Sequence, residues 1–251
     1  MSASDLQAVL LAAGRGGRLL SQAGTDSEAL PKCLLEVGGR TLLDRHVAAL
    51  VASGVPRLHI VQGYKADLVA AELDAATARH PGLEARVIEN PRFELGSIVS
   101  LAAARPLLRG SSCLLMDADV VYPTALLARL VESASPFCFL LDEDSRGDAE
   151  EMRLGADAEG FVRAIERGLS AGHATMGEGV GFLKLDRAAG TALAAACEAR
   201  IAAGGASDDY EQAIGDVLRS LPARWEPVAP HAWTEIGFAE DLDRARAMVL
   251  R

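Results

Sequence analysis

The sequence predicts an α/β fold built on a mixed, mostly parallel sheet, and three observations carry that prediction. Short aliphatic runs alternate with longer stretches of helical period. The first run empties into a glycine-rich segment, Leu11-Ala12-Ala13-Gly14-Arg15-Gly16-Gly17-Arg18-Leu19, at the strand end where open α/β sheets take ligands. The 251 residues are 50% hydrophobic and 24% charged, an ordinary globular balance that fills about one large domain.

Taken in order, the aliphatic runs at 8–12, 58–62, 85–89, 113–117 and 137–141 read as strands. Between them, 42–53, 65–79, 97–108 and 124–132 read as helices, with Thr41 as N-cap and Gly54 as stop for the first. After Asp142 the rhythm changes. Residues 145–151 form a polar loop, and 152–154, 161–165 and 181–185 read as antiparallel strands of a small added sheet, an insert of about 143–185. Helices return at 188–203 and 210–219, followed by a strand at 233–236 and a helix at 240–250. Without a repeat or a Pro/Gly-rich linker, residues 1–251 are expected to form one domain.

Lys and Arg number 25 against 35 Asp and Glu, a formal charge of −10. That sign excludes a nucleic-acid groove, so any bound phosphate must be met by local groups. The apolar run at 8–13 is too short for a signal-peptide core or a membrane span, which predicts a cytoplasmic protein with no membrane partner. The four cysteines contain no CxxC pair and predict free thiols in a reducing compartment. The five histidines are scattered, and neither HExxH nor GxSxG occurs, which removes the anchors of zinc and serine hydrolases.

Glycines in the first loop let backbone N–H groups approach a polyphosphate, and Arg15 and Arg18 add the positive charge the whole chain lacks. The loop is neither a Rossmann GxGxxG, because Leu19 stands where the last glycine belongs, nor a P-loop. Taken alone it also fits a tight turn with two solvated arginines. Pro31 fixes the backbone ahead of Lys32 and can aim the ammonium toward the same sheet edge. Asp117 and Asp119 leave an apolar strand together, a pair suited to a hard cation such as Mg²⁺; the alternative for Asp119 is a helix cap near Pro123.

The string LAAGRGGRL followed by Pro31-Lys32 resembles the signature of nucleotidyltransferases that join a nucleoside triphosphate to a phosphorylated small molecule. The resemblance implies a Rossmann-like three-layer fold of the GT-A type. It implies Arg18 and Lys32 as catalytic cations, and nucleotide contacts from Leu11, Ala12, Ala13, Gly14, Arg15, Gly16 and Gly17. Mg²⁺ falls to Asp119 and to Glu235 in Trp233-Thr234-Glu235-Ile236-Gly237, with Asp117 beside it on the nucleotide. Val61-Gln62-Gly63-Tyr64, Asn90-Pro91-Arg92-Phe93 and Gly96-Ser97-Ile98 look like the cytidylyltransferase branch acting on phosphocholine and 2-aminoethylphosphonate. That branch adds Gly63, Asn90 and Ser97 to the nucleotide contacts. It gives the acceptor Tyr122, Arg167, Glu178 and Tyr210, with Phe182, Trp233, Asp208, Asp209 and Glu211 in the same segments. Gly96 and Arg167 depart from the branch, where asparagine and lysine are frequent.

The implied activity transfers CMP from CTP to a small phosphorylated or phosphonylated amino-alcohol, releasing pyrophosphate. A sugar-1-phosphate or molybdopterin nucleotidyltransferase, or a nucleotide-binding protein without turnover, stand as alternatives. Neither acceptor nor oligomeric state is fixed by the residues, and a homodimer stays open.

Overall fold

The computed structural model describes residues 3–16, 30–145, 147 and 149–249. Its strands in chain order are β1 (Gln7–Leu11), β2 (Glu36–Val37), β3 (Arg40–Thr41), β4 (Arg57–Gln62), β5 (Glu84–Glu89), β6 (Cys113–Asp117), β7 (Val120–Val121), β8 (Phe137–Asp142), β9 (Met152–Ala156), β10 (Val162–Arg167), β11 (Thr175–Leu185), β12 (Arg224–Pro227) and β13 (Thr234–Glu235). The helices are α1 (Leu42–Ala52), α2 (Ala66–Arg79), α3 (Ser97–Ala103), α4 (Arg105–Gly110), α5 (Thr124–Glu132), α6 (Arg187–Ala202), α7 (Tyr210–Leu218) and α8 (Ala239–Val249).

Nine strands form one mixed sheet in the order β10-β9-β11-β6-β1-β4-β5, with β8 also on β11 and β12 on β8. β1, β4, β5 and β6 run parallel, while β11 runs against β6, β8 and β9. With β12 parallel to β8 and β10 against β9, only β10 and β11 oppose the common direction. The sheet is therefore mostly parallel in sense.

Period-two alternation places successive strand residues on opposite faces. Leu10, Ile60, Met116 and Leu140 face one core with Leu43 and Val47 of α1, Leu73 of α2 and Leu127 of α5. Val9, Val61, Leu115 and Phe139 face the other, packed against Ile98 of α3, Leu193 of α6 and Ile214 of α7. Three layers result, as an α/β chain requires to bury both faces of its sheet. A smaller cluster of Val37, Leu42, Val121, Ile236 and Ala245 fastens α8 beside the β7–β13 ribbon.

Three readings of the sequence need correction. Residues 97–108 form two helices, because Ala104 leaves helical geometry and Pro106 opens α4, where its missing N–H costs nothing. The strands of the 143–185 segment do not make a separate sheet: β9, β10 and β11 extend the main one, and the two-stranded sheets are β7–β13 and β2–β3. Strand β11 runs eleven residues, its register shifting against β8 between Gly179 and Leu183. Gly181 takes φ +78° in that shift, and a side chain there would strike the carboxylate of Asp117.

Candidate active site

The C-terminal ends of β1 and β6 open into a cavity of about 810 Å³. Leu11, Ala12, Ala13, Gly14 and Gly16 form its lip. Gly16 has φ +67°, and the alkyl stem of Lys32 lies where a Cβ would be. Lys32 opens a single 3₁₀ turn after Pro31, anchored by the buried Cys33 and Leu34. Its ammonium donates to Asp119 Oδ2 at 2.7 Å, with the side chains only 15% and 19% exposed. Pro31 and the turn aim the ammonium toward the sheet edge, inside the cavity rather than out to solvent.

Asp119 sits in the link from β6 to β7. Its carbonyl accepts the Ile236 N–H at 2.9 Å, and the β7–β13 ladder sets Glu235 opposite Val120. Two carboxylates distant in sequence thus share one corner. Asp117 ends β6, and its Oδ2 accepts the Tyr210 hydroxyl at 2.7 Å. Burial, then the charges of Asp119 and Glu211, push the Asp117 carboxyl well above the ordinary carboxylate range. Burial also raises Glu211 to about 7.

The opposite wall comes from β8, β10, β11 and α7. Arg167 pairs with Asp209 at 2.6 Å, Glu178 stands opposite Asp142 in the β8–β11 ladder, and Trp233 Nε1 donates to Asp142 Oδ2 at 2.7 Å. Among the described lining residues, eleven are acidic and only Lys32, Arg167 and Arg244 are basic, so an anionic substrate must bring cations with it.

Ser97 lines the cavity, with its Oγ accepting the Tyr210 N–H at the start of α7. Four expected contacts lie elsewhere. Arg15 turns outward, pairs with Glu94 and lies over the rings of Tyr64 and Phe93 at 5.4 and 5.8 Å, where aromatic faces and a carboxylate hold it. Phe93 covers Gly63. Asn90 is 4% exposed and reaches Ser100 rather than the cavity. Tyr122 packs edge-on to Phe182 at 4.8 Å with its hydroxyl 3.1 Å from His46 Nδ1, which makes it a core residue rather than an acceptor contact. Gly17 and Arg18 lie outside the described residues.

Residues 145–151 read from the sequence as a polar loop and 142–144 carried no site reading, yet Asp142, Asp144, Glu150 and Glu151 line the cavity. Asp142 had a usable signal: like Asp117 it is an acid at the C-terminal end of a strand, where such sheets bind ligands. Ser100 carried no such signal. All four cysteines are unpaired and buried, and burial pushes the Cys33 thiol up to about 12.

The strand ends thus carry a Gly-lipped cavity with a lysine and paired carboxylates across it. The chain belongs to the MobA-like NTP transferase domain family, whose model matches residues 8–149, and so carries a nucleotidyltransferase domain. It is 25% identical over 97% of its length to the bifunctional IPC transferase and DIPP synthase of Aquifex aeolicus, covering 52% of that protein. It is 28% identical over 66% of its length to the bifunctional protein GlmU of Pelotomaculum thermopropionicum, covering 37% of it. The chain thus spans about half or less of these curated relatives. In fold it is similar to the inositol-1-phosphate CTP transferase of T. maritima, at TM-score 0.75 and 18% identity over 99% of this chain and 96% of that one. The CTP:phosphocholine cytidylyltransferase of Streptococcus pneumoniae matches equally, at TM-score 0.75 and 18% identity over 98% and 100%. No helix of the described residues is long and apolar enough to cross a membrane.

Proposed function

We propose that this protein is a Mg²⁺-dependent cytidylyltransferase that moves CMP from CTP onto a small phosphorylated or phosphonylated amino-alcohol and releases pyrophosphate. The observation that carries this reading is the division of the cavity: a glycine lip with Lys32 and Asp119 at one end, a carboxylate wall with Trp233 at the other. A cationic head group suits such a wall, through carboxylates and an aromatic face. Structural neighbours whose titles name CTP transferases support the choice of nucleotide. A polyol phosphate is the second reading, favoured by the relative named as an IPC transferase that matches 97% of the chain.

The donor set fits a hard cation. Asp119 and Glu235 would hold Mg²⁺, and the upward shifts of Asp117 and Glu211 mark the negative charge it would offset. No group of three or more His, Cys, Asp or Glu among the described residues forms a protein-only cage, and Mg²⁺ sites usually use one or two carboxylates with phosphate and water oxygens. When bound, Mg²⁺ neutralises phosphate charge during the displacement.

The acceptor phosphate or phosphonate is anionic near neutral pH, so its oxygen attacks the α-phosphorus directly as the bond to pyrophosphate breaks. Backbone N–H groups of the lip align the triphosphate. Lys32 gives up part of its bond to Asp119 to meet phosphate charge, and Arg18 of the same signature is assigned a second cation. Positioning and electrostatics supply the rate. Pyrophosphate release measured over four nucleoside triphosphates and phosphocholine, 2-aminoethylphosphonate, inositol phosphate and a sugar 1-phosphate tests this. CTP with an amine acceptor should give the highest kcat/KM; a sugar 1-phosphate or polyol phosphate equal to both amines would overturn the amino-alcohol assignment.

A further inference from the structure

The Asn90 carboxamide is fixed by its partners. Its Oδ1 accepts the Arg92 N–H at 3.0 Å, so its NH₂ must face Ser100 and donates to Ser100 Oγ at 3.0 Å. Asn90 and Ser100 are 4% and 7% exposed, and only Ser100 lines the cavity. Thr77 and Thr191, also in helices, donate back to the carbonyls of Leu73 and Arg187, whereas the Ser100 hydroxyl has no acceptor among the described residues. With a lone pair taken by Asn90, its proton is left for the cavity.

Ser100 belongs to α3, in the layer opposite the one that holds Cys33 and Ala118 beside Lys32 and Asp119. The same cavity is also lined by Leu11, Ala13 and Leu95, apolar side chains that suit the faces of a planar ring rather than a phosphate. The cavity's described cations are engaged elsewhere, Arg167 with Asp209 and Arg244 with Asp241.

We propose that Ser100 is a specificity-determining residue, its hydroxyl held by Asn90 as a donor to an acceptor atom of the nucleobase. Asn90 is its positioning residue. A donor there matches the unprotonated ring N3 of cytosine and opposes the N3–H of uracil. This rests on the nucleotidyltransferase reading and adds to it a polarity at one wall.

Calorimetric titration with CTP and UTP, with Mg²⁺ present, tests it on the full chain, alongside Ser100→Ala and Asn90→Asp. Ser100→Ala should weaken CTP about tenfold, the scale of one hydrogen bond, and leave UTP within about twofold. Asn90→Asp turns the neighbour into an acceptor, draws the serine proton away from the cavity and should narrow the CTP/UTP ratio by a similar factor. A Ser100→Ala protein that keeps the wild-type ratio overturns the assignment, as does a folded Asn90→Asp protein that keeps it. Should Asn90→Asp fail to fold, Ser100→Ala decides alone. A wild-type protein that binds neither nucleotide overturns the functional reading and this inference together, a result separable from a lost Ser100 effect in a protein that binds CTP.

Discussion

At one end of the cavity Lys32 and Asp119 pair across 2.7 Å; the opposite wall carries Asp142, Glu178 and the Arg167–Asp209 ion pair. At the first end the lysine already has an anionic partner, so meeting a phosphate there is an exchange of partners. The second is richer in carboxylates than in cations, its one arginine, Arg167, being already engaged by Asp209. An exchange site favours a ligand that brings both a cation and an anion, as a metal-bound triphosphate does. A carboxylate wall favours a ligand that brings positive charge alone. On the function proposed above, the two ends would sort the two substrates by charge before shape is considered.

Removing Asp119 should break the first end most severely. Asp119→Ala is expected to lower kcat by at least about a hundredfold, the scale of a lost metal clamp. Near-normal steady-state turnover in a folded variant would sink its assignment. Lys32→Ala should cost somewhat less, about a hundredfold at most, as for loss of one electrostatic donor. It should also lower the melting temperature, because it leaves the mostly buried Asp119 without its cation. A Lys32→Ala protein with an unchanged kcat would make that ion pair purely structural.

At the second end, Glu178→Gln should raise KM for phosphocholine about tenfold while KM for a neutral sugar phosphate stays within twofold. Equal effects on both acceptors would show that the wall does not read charge. The smallest effect concerns stability. The unfolded chain releases the Glu211 proton near 4.5 and the folded, metal-free chain near 7, so this group makes stability fall as pH rises through that window. Glu211→Gln should raise the melting temperature by a few degrees at pH 8 and leave it unchanged at pH 4, where both states are protonated. A gain that is the same at both pH values would assign the effect to packing.

Strand 113–117 and helix 124–132 were legible to the residue, because an apolar run that ends in an acid and a stripe after Pro123 are local signals. β12 was not: Arg-Trp-Glu-Pro has neither alternation nor branching, and it becomes a strand because β8 offers it an open edge. Most of β11 was hidden by its glycines, which weaken a strand pattern yet are required where Asp117 crowds the backbone. Within the site, Lys32, Asp119, Glu235, Glu178 and Arg167 all reach the cavity lining. Arg15 and Tyr122 do not, since a motif gives a residue's place on the chain but not the direction of its side chain.

By itself the sequence determined the alternation of the central strands β1, β4, β5, β6 and β8 with their helices, the glycine lip after β1, and the acids at the ends of β6 and β13, because period and punctuation act over a few residues. Only the tertiary structure decided that Tyr210 would bond Asp117 across 93 residues of sequence, that Asn90 would donate to Ser100, and that Lys32 would pair with Asp119. These contacts depend on which elements become neighbours and which face each presents, and the sheet sets both only once its strand order and registers close.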